Sequence, residues 1–272
     1  MREAGPRPQA SVVIAACSQL RLLRMTLAAV YAQTHRDFEV VLVDDHSNDG
    51  TAAWVAGRSY PRLTLARNPR RLGPSRSRNR AVELSRGTLL AFLDHDDLWR
   101  PDYLRTMTRT FDRPEVMYAC SDNDVIDGRG RVTLRRAMRQ PAFAQPAFTA
   151  LSSLERVPAF SATMVRRTAW DAVGGFDPGF RLYCDDSDFA FRVGLTFGPR
   201  AFKFVDRTLV SRRLKRRRAS QISRLFDPLA PRPLDSLLRR WKTLDSSRRD
   251  IVFDVLRQRH KHRWWVDRLL NG

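Results

Sequence analysis

The chain has 272 residues, 43% of them hydrophobic, and a formal net charge of +20. That is too apolar for a disordered chain, and it suits one good-sized domain with an appendage or two small domains. Three scattered cysteines without a CxxC pair (Cys17, Cys120, Cys184) exclude an obvious zinc site or disulfide framework and point to reducing cytosol.

The opening MREAGPRPQA has no apolar core of a secretory signal, and no apolar run nears the roughly 18 residues that span a bilayer. SVVIAA at 11–16 is a short β-branched run, the pattern of a strand buried on both faces. Leu22, Leu23, Met25, Leu27 and Val30 predict a helix over 21–32. A second buried strand is expected over 39–45, a short helix over 50–56, a third strand over 63–66, a helix over 74–85 and a fourth buried strand over 88–94. Strands alternating with helices argue for an α/β fold of parallel units, in which ligands bind beyond the carboxyl ends of the strands. Asp44, Asp45, Asp94 and Asp96 all fall at such ends.

Beyond Pro101 the pattern changes. A helix is expected over 102–111, a strand over 116–121, and a turn over 127–131 followed by a short strand. The irregular stretch 135–158 would suit a substrate loop. A strand over 160–165, a helix over 167–173 ending at Gly174-Gly175, a helix from Asp186 and a last strand over 201–205 follow. There is no internal repeat. From Arg207 onward 19 Lys and Arg stand against 6 Asp and Glu, so this tail holds most of the net charge. It implies phospholipid, a phosphorylated substrate or nucleic acid as partner, or else a merely solvated basic tail. Its apolar spacing from Leu234 on, with Trp264-Trp265 among basic residues, fits a helix at a membrane interface or a helix pair packed on the main domain.

Two acidic clusters are out of place in so basic a chain. Asp94-His95-Asp96 puts two carboxylates just past a buried strand, where the chain leaves the pleat and both can turn toward one Mg2+ or Mn2+. Asp97 next to them is either part of that group or a turn and helix cap. Asp45 can accept hydrogen bonds from a base or a ribose, whereas Asp49 and Thr51 suit capping. Asp185, Asp186 and Asp188 open a helix, where capping is the plain alternative. Gly174-Gly175 before them permits close backbone approach to a ligand.

Three blocks carry a resemblance: SVVIAACSQLRLLRMTLAAVYAQTHRDFEVVLVDDHSNDGT, LGPSRSRNRAVELSRGTLLAFLDHDDLWRPDYL and MVRRTAWDAVGGFDPGFRLYCDDSDFAFRV. In this order and spacing they resemble the family 2 glycosyltransferases over roughly 11–205. The resemblance implies a GT-A fold, with a Rossmann-like, mostly parallel sheet flanked by helices. It implies a catalytic domain over 1–210 and leaves 211–272 as a basic, mainly helical extension. It implies a nucleotide-diphosphate sugar as donor, a saccharide or lipid-linked acceptor, and inversion assisted by Mn2+ or Mg2+. By resemblance Ala15, Cys17 and Asp45 line the base pocket, and Arg76 and Asn79 help to hold the nucleotide. Asp94 and Asp96 are the metal-binding DxD pair around His95, and Asp185 and Asp186 match the family's acidic pair, with Asp186 as general base. Gly174 and Gly175 lie near the transferred sugar.

The chain departs from the family pattern at three places. Asp185 replaces the usual Glu, Cys17 replaces an aromatic residue, and the stretch 211–215 lacks the usual His, leaving Arg212 or Arg213 to reach the diphosphate. A cytoplasmic enzyme of cell-surface polysaccharide or glycolipid assembly is expected, peripheral at the inner membrane face through 207–272. The competing reading is a non-catalytic protein of the same fold whose tail binds nucleic acid or anionic membrane. Retention of both acidic stations argues against it, and nucleic acid is not the expected partner.

Overall fold

Strand β1 (Ala10–Ala16) lies at the heart of the sheet, and its side chains alternate between two apolar layers. Val12 and Ile14 meet one layer and Val13 the other, the period-two consequence of a strand covered on both faces. The computed structural model describes residues 6–138, 160–178 and 185–214. The first half follows as α1 (Leu20–Tyr31), β2 (Phe38–Asp44), α2 (Thr51–Ala56), β3 (Leu63–Arg67), α3 (Pro74–Glu83) and β4 (Leu89–Asp94). β2 and β4 flank β1 in parallel, and β3 pairs in parallel with β2. Leu23, Leu27 and Val30 of α1 and Val55 of α2 cover one face, whereas Ala81 and Val82 of α3 cover the other.

The second half adds β5 (Leu98–Trp99), α4 (Tyr103–Thr110), β6 (Tyr118–Ile126), β7 (Val132–Leu134), β8 (Thr163–Arg166), α5 (Arg167–Val173), α6 (Asp185–Phe197) and β9 (Phe202–Arg213). The sheet order is β3-β2-β1-β4-β8-β6-β9-β5, with β7 beside β6. β8 is antiparallel to both β4 and β6, and β9 is parallel to β6. The sheet is therefore mixed, and its parallel run β3-β2-β1-β4 is the part that the alternating pattern described. Phe92, Phe160, Trp170, Phe176 and Phe189 close the second layer as one aromatic cluster, with Trp170 and Phe176 edge to face at 5.0 Å.

Three sequence expectations change. β6 does not stop at Ser121 but continues through Asp122-Asn123-Asp124 to Ile126, all buried. A polar run looks like a turn, yet here each carboxylate is answered. Asp122 accepts from Arg136 Nε at 3.1 Å and the Met138 amide at 2.9 Å, and Asp124 accepts from the Arg136 amide at 2.9 Å. β9 runs to Arg213 rather than Val205, because β6 and β5 offer it partners past the polar Asp206–Thr208 stretch. It crosses the expected domain boundary at 210/211 by three residues. The strand expected over 160–165 is a 3-10 turn (Phe160–Ala162) followed by β8. No helix among the described residues is long and apolar enough to cross a membrane. The expected substrate loop beyond Met138, and the helical tail beyond Leu214, lie outside the described residues.

Candidate active site

The carboxyl ends of β1, β2 and β4 meet at one rim of the sheet. The β1–α1 loop is stapled to the β2–α2 loop: the Ser18 amide donates to Ser47 Oγ at 2.7 Å and the Leu20 amide to Asp49 Oδ2 at 2.8 Å. Asp49 also accepts from Thr51 Oγ1 at 2.6 Å and from the Thr51 amide at 3.2 Å, whereas the N-cap of α2 is Gly50 and not the expected Asp49. Ser18, Gln19 and His46 all take left-handed backbone (φ 61, 65 and 58), a conformation that costs non-glycine residues about 1 kcal/mol each and gathers at functional sites.

Asp45 is buried and accepts three hydrogen bonds, from Asn68 Nδ2 and the Leu72 amide at 2.8 Å and from the Gly73 amide at 2.9 Å. It thereby fixes the turn that launches α3, with Gly73 at φ 91, where a side chain is disfavoured. Cys17 lies in the same corner. Burial pushes its thiol upward, the Arg71 charge works against this, and the Asp45 and Asp44 charges add to the rise. Asp44 is fully buried and pairs with Arg67 Nε at 3.2 Å.

Asp94, Asp96 and Asp97 bring one oxygen each to within 4.8 Å of one another. Thr26 Oγ1 donates to the His95 and Asp97 carbonyls at 3.0 and 2.9 Å, tying this turn to α1. His95 Nδ1 lies 3.2 Å from the Ala15 carbonyl, which can only accept, so Nδ1 carries the proton. Nε2 lies 3.2 Å from Gln19 Nε2.

Asp97 is the inner member of the group. It accepts from Ser161 Oγ at 2.6 Å and from the Arg213 amide at 2.7 Å. Burial, and then the charges of Asp94 and Asp96, push its carboxyl up from 3.8 to about 7 against those two hydrogen bonds. Arg78 of α3 reaches Asp94 Oδ1 at 2.6 Å while its guanidinium lies over the Phe160 and Phe176 rings at 5.4 and 5.7 Å. Arg213 is buried behind the turn and donates from Nε to the Asp96 carbonyl at 3.0 Å and from Nη1 to the Asp127 carbonyl at 2.8 Å. Three hard oxygen donors, crowded enough to retain a proton, fit a cation of the Mg2+ or Mn2+ type.

A pH dependence follows. The folded chain keeps on this cluster a proton that the unfolded chain releases near the ordinary 3.8, so stability falls as pH rises from there to about 7. Chelator-treated protein is expected to show that decline in urea unfolding between pH 4 and 7, and Asp97→Asn to flatten it. An unchanged slope in the variant would place the proton elsewhere.

The second acidic cluster opens α6. Asp186 is half-buried in its first turn, and its charge adds to what keeps the Tyr118 phenol neutral, after burial and Cys120. Asp188 instead faces inward and binds Arg192 Nη2 at 2.7 Å, and Arg192 in turn donates to the Val173 carbonyl at the end of α5. For Asp185, only its place as first residue of the helix is described. Gly174 and Gly175 follow α5 at φ 74 and 66, and a Cβ on Gly175 would meet the Trp170 ring at 2.9 Å. Asn79 holds this turn with both ends of its amide, donating to the Phe176 carbonyl at 2.8 Å and accepting from its amide at 3.0 Å. Arg76 is exposed on α3.

The sequence matches glycosyl transferase family 2 over residues 11–174. The chain belongs to that family. Succinoglycan biosynthesis protein ExoO of Rhizobium meliloti (strain 1021) is 36% identical to it over 145 residues, 52% of this chain and 42% of the relative. The Escherichia coli UDP-Glc:alpha-D-GlcNAc-diphosphoundecaprenol beta-1,3-glucosyltransferase WfgD is 25% identical over 122 residues, 45% of this chain and 48% of the relative. The matches span less than half the length of either relative. TarS of S. aureus, solved with UDP-GlcNAc, superposes with a TM-score of 0.63 at 20% identity, over 76% of this chain and 58% of that one. Mannosyltransferase PcManGT from Pyrobaculum calidifontis, solved with GDP-Man and Mn2+, gives 0.59 at 18% identity, over 88% and 64%. At these identities the likeness establishes the fold, which is GT-A.

In this family 2 chain, sequence reasoning missed Arg78, Ser161 and the buried seat of Asp97. Arg78 had a usable signal: it precedes the buried Ala81 and Val82 by three and four residues, so it shares their helix face, whereas Arg76 does not. Ser161 had none, because its approach depends on how the chain enters β8; Arg213, one of the two arginines expected at the diphosphate, is instead buried on the Asp96 and Asp127 carbonyls.

Proposed function

We propose that this family 2 chain is an inverting, metal-dependent glycosyltransferase that moves a sugar from a nucleotide-diphosphate donor to a saccharide or lipid-linked acceptor. The observation that carries the proposal is the carboxylate group Asp94, Asp96 and Asp97 at the tip of β4, beside the β1 and β2 tips, with a second acidic station at Asp186. Asp94 and Asp96 would hold the cation, Mn2+ or Mg2+, which when bound offsets the charge gathering on the departing diphosphate. Ala15, Cys17 and Asp45 would border the base, with Arg76 and Asn79 on the helix beside it. Asn79 would act by holding the Gly174–Phe176 turn against α3, so that the turn faces the transferred sugar. Asp186 would take the proton of the acceptor hydroxyl as its oxygen bonds to the anomeric carbon, and the bond to the diphosphate breaks on the opposite side. Asp185 would steady that station.

ExoO is named for succinoglycan biosynthesis and WfgD for a diphosphoundecaprenol-linked substrate, which supports a role in polysaccharide or glycolipid assembly. The unit 1–210 would do the chemistry, and the basic extension 211–272 would hold it to the anionic inner membrane face from the cytoplasm. A panel of UDP- and GDP-sugars with Mn2+ tests the reading. A fitting donor at 100 times its Kd is expected to add about 2.7 kcal/mol of stability, a shift of several degrees in Tm. No shift with any donor at millimolar concentration would sink it.

A further inference from the structure

Outside the site, the strongest unexplained feature is the outer surface of α1 and α2. Residues 20–36 and 50–66 hold five arginines and no aspartate or glutamate. Trp54 of α2 is half-buried, with the guanidiniums of Arg58 and Arg24 at 4.4 and 5.3 Å from its ring. Tyr60 stacks on Tyr31 at 5.0 Å beside it, and Met25 is 41% exposed on the same helix as Arg24. Asp37 and Asp49 are the exposed carboxylates that border these stretches, and Asp49 is occupied by the Leu20 amide and Thr51.

We propose that this α1–α2 face is a docking surface for an anionic lipid bilayer, distinct from the basic tail. Tryptophan and tyrosine with one apolar side and one wet side settle at headgroup depth, and arginines beside them meet lipid phosphates. The tail does not fit as occupant, since beyond Leu214 it carries 16 Lys and Arg against 6 Asp and Glu and would be repelled by five arginines. Single-stranded nucleic acid fits less well, because it stacks bases on open aromatic faces and the Trp54 ring already carries two guanidiniums. The placement also has a use. α1 starts at the rim of the site, where Gln19 meets His95, so a bilayer on this face would lie alongside the opening through which a lipid-linked acceptor must come.

The experiment is co-sedimentation of the full chain with vesicles of phosphatidylcholine, alone or with about 30% phosphatidylglycerol, since each basic residue near such a surface is worth about a factor of five in partitioning. Wild-type protein should bind the anionic vesicles, and Arg24→Glu with Arg58→Glu should weaken binding by more than about 30-fold, since losing the two cations alone accounts for that factor. Arg129→Glu with Arg200→Glu makes the same charge change at exposed positions elsewhere and should stay near wild type. Equal loss in both pairs would mean attraction by net charge alone, and no loss in the first pair would leave the binding to the tail. Either result overturns the proposal, as would a first pair that loses binding to duplex or single-stranded nucleic acid but not to vesicles. A second measurement does not depend on the charge variants folding: quenching of tryptophan fluorescence by brominated lipid should drop in Trp54→Phe, and undiminished quenching would refute the contact. Neither readout requires sugar transfer, so failure here is separable from failure of the catalytic reading.

Discussion

Asp96→Ala is expected to weaken Mn2+ binding, and with it Mn2+-dependent binding of a nucleoside diphosphate, by about 100-fold or more. Changes to mere supporting groups of a metal ligand already cost 10- to 100-fold. Asp96 is 3% exposed and supplies one of the three oxygens that lie within 4.8 Å of one another, so its removal leaves two. The same change should not lower the stability of the metal-free protein through loss of charge, because it removes one of three mutually repelling carboxylates. Calorimetric titration with Mn2+ and then with UDP or GDP measures the first effect, and thermal unfolding in chelator the second. Retained Mn2+ affinity would refute the metal assignment. Lost affinity with a collapsed Tm would instead assign Asp96 to folding.

Asp186→Asn should lower turnover by roughly 10^2- to 10^4-fold, the range of a positioned general base, while donor affinity changes little. Asparagine keeps the shape and can still accept a hydrogen bond at the start of α6, but it cannot take the acceptor's proton. The neighbouring Asp188 offers an internal contrast. It is 1% exposed and bound to Arg192, which braces the end of α5. Asp188→Asn should therefore cost stability, with a change in turnover that follows the folded fraction. Transfer assays with donor titrations separate the two variants, and full turnover in Asp186→Asn would dismiss it as the base.

Much of this site was legible in the chain because its signals are local. An apolar run that fills a doubly covered strand ends where the strand leaves the core, so Cys17 just past 11–16 and the carboxylates at the ends of 39–45 and 88–94 come to one rim by the rules of parallel sheets. The resemblance then supplied roles that spacing alone could not. The misread elements share one physical cause. The strand expected to end at Ser121 runs on because Arg136 and the amides of Arg136 and Met138 reach Asp122 and Asp124 from beyond the next strand. The polar middle of β9 ends a strand only if nothing pairs past it, and β5 and β6 both do.

The sequence by itself determined the order of strands and helices in the first half and where the two acidic clusters fall, since each rests on residues a few places apart, and three ordered blocks determined the family. Only the tertiary structure decided how those stations are supported. It placed Arg78 against Asp94, seated Asp97 between Ser161 and the Arg213 amide, and turned Asp188 inward to Arg192. Hydrogen-bond donors 64 or 116 positions away reach the Asp97 carboxylate only through the fold, and burial sets how much those bonds count.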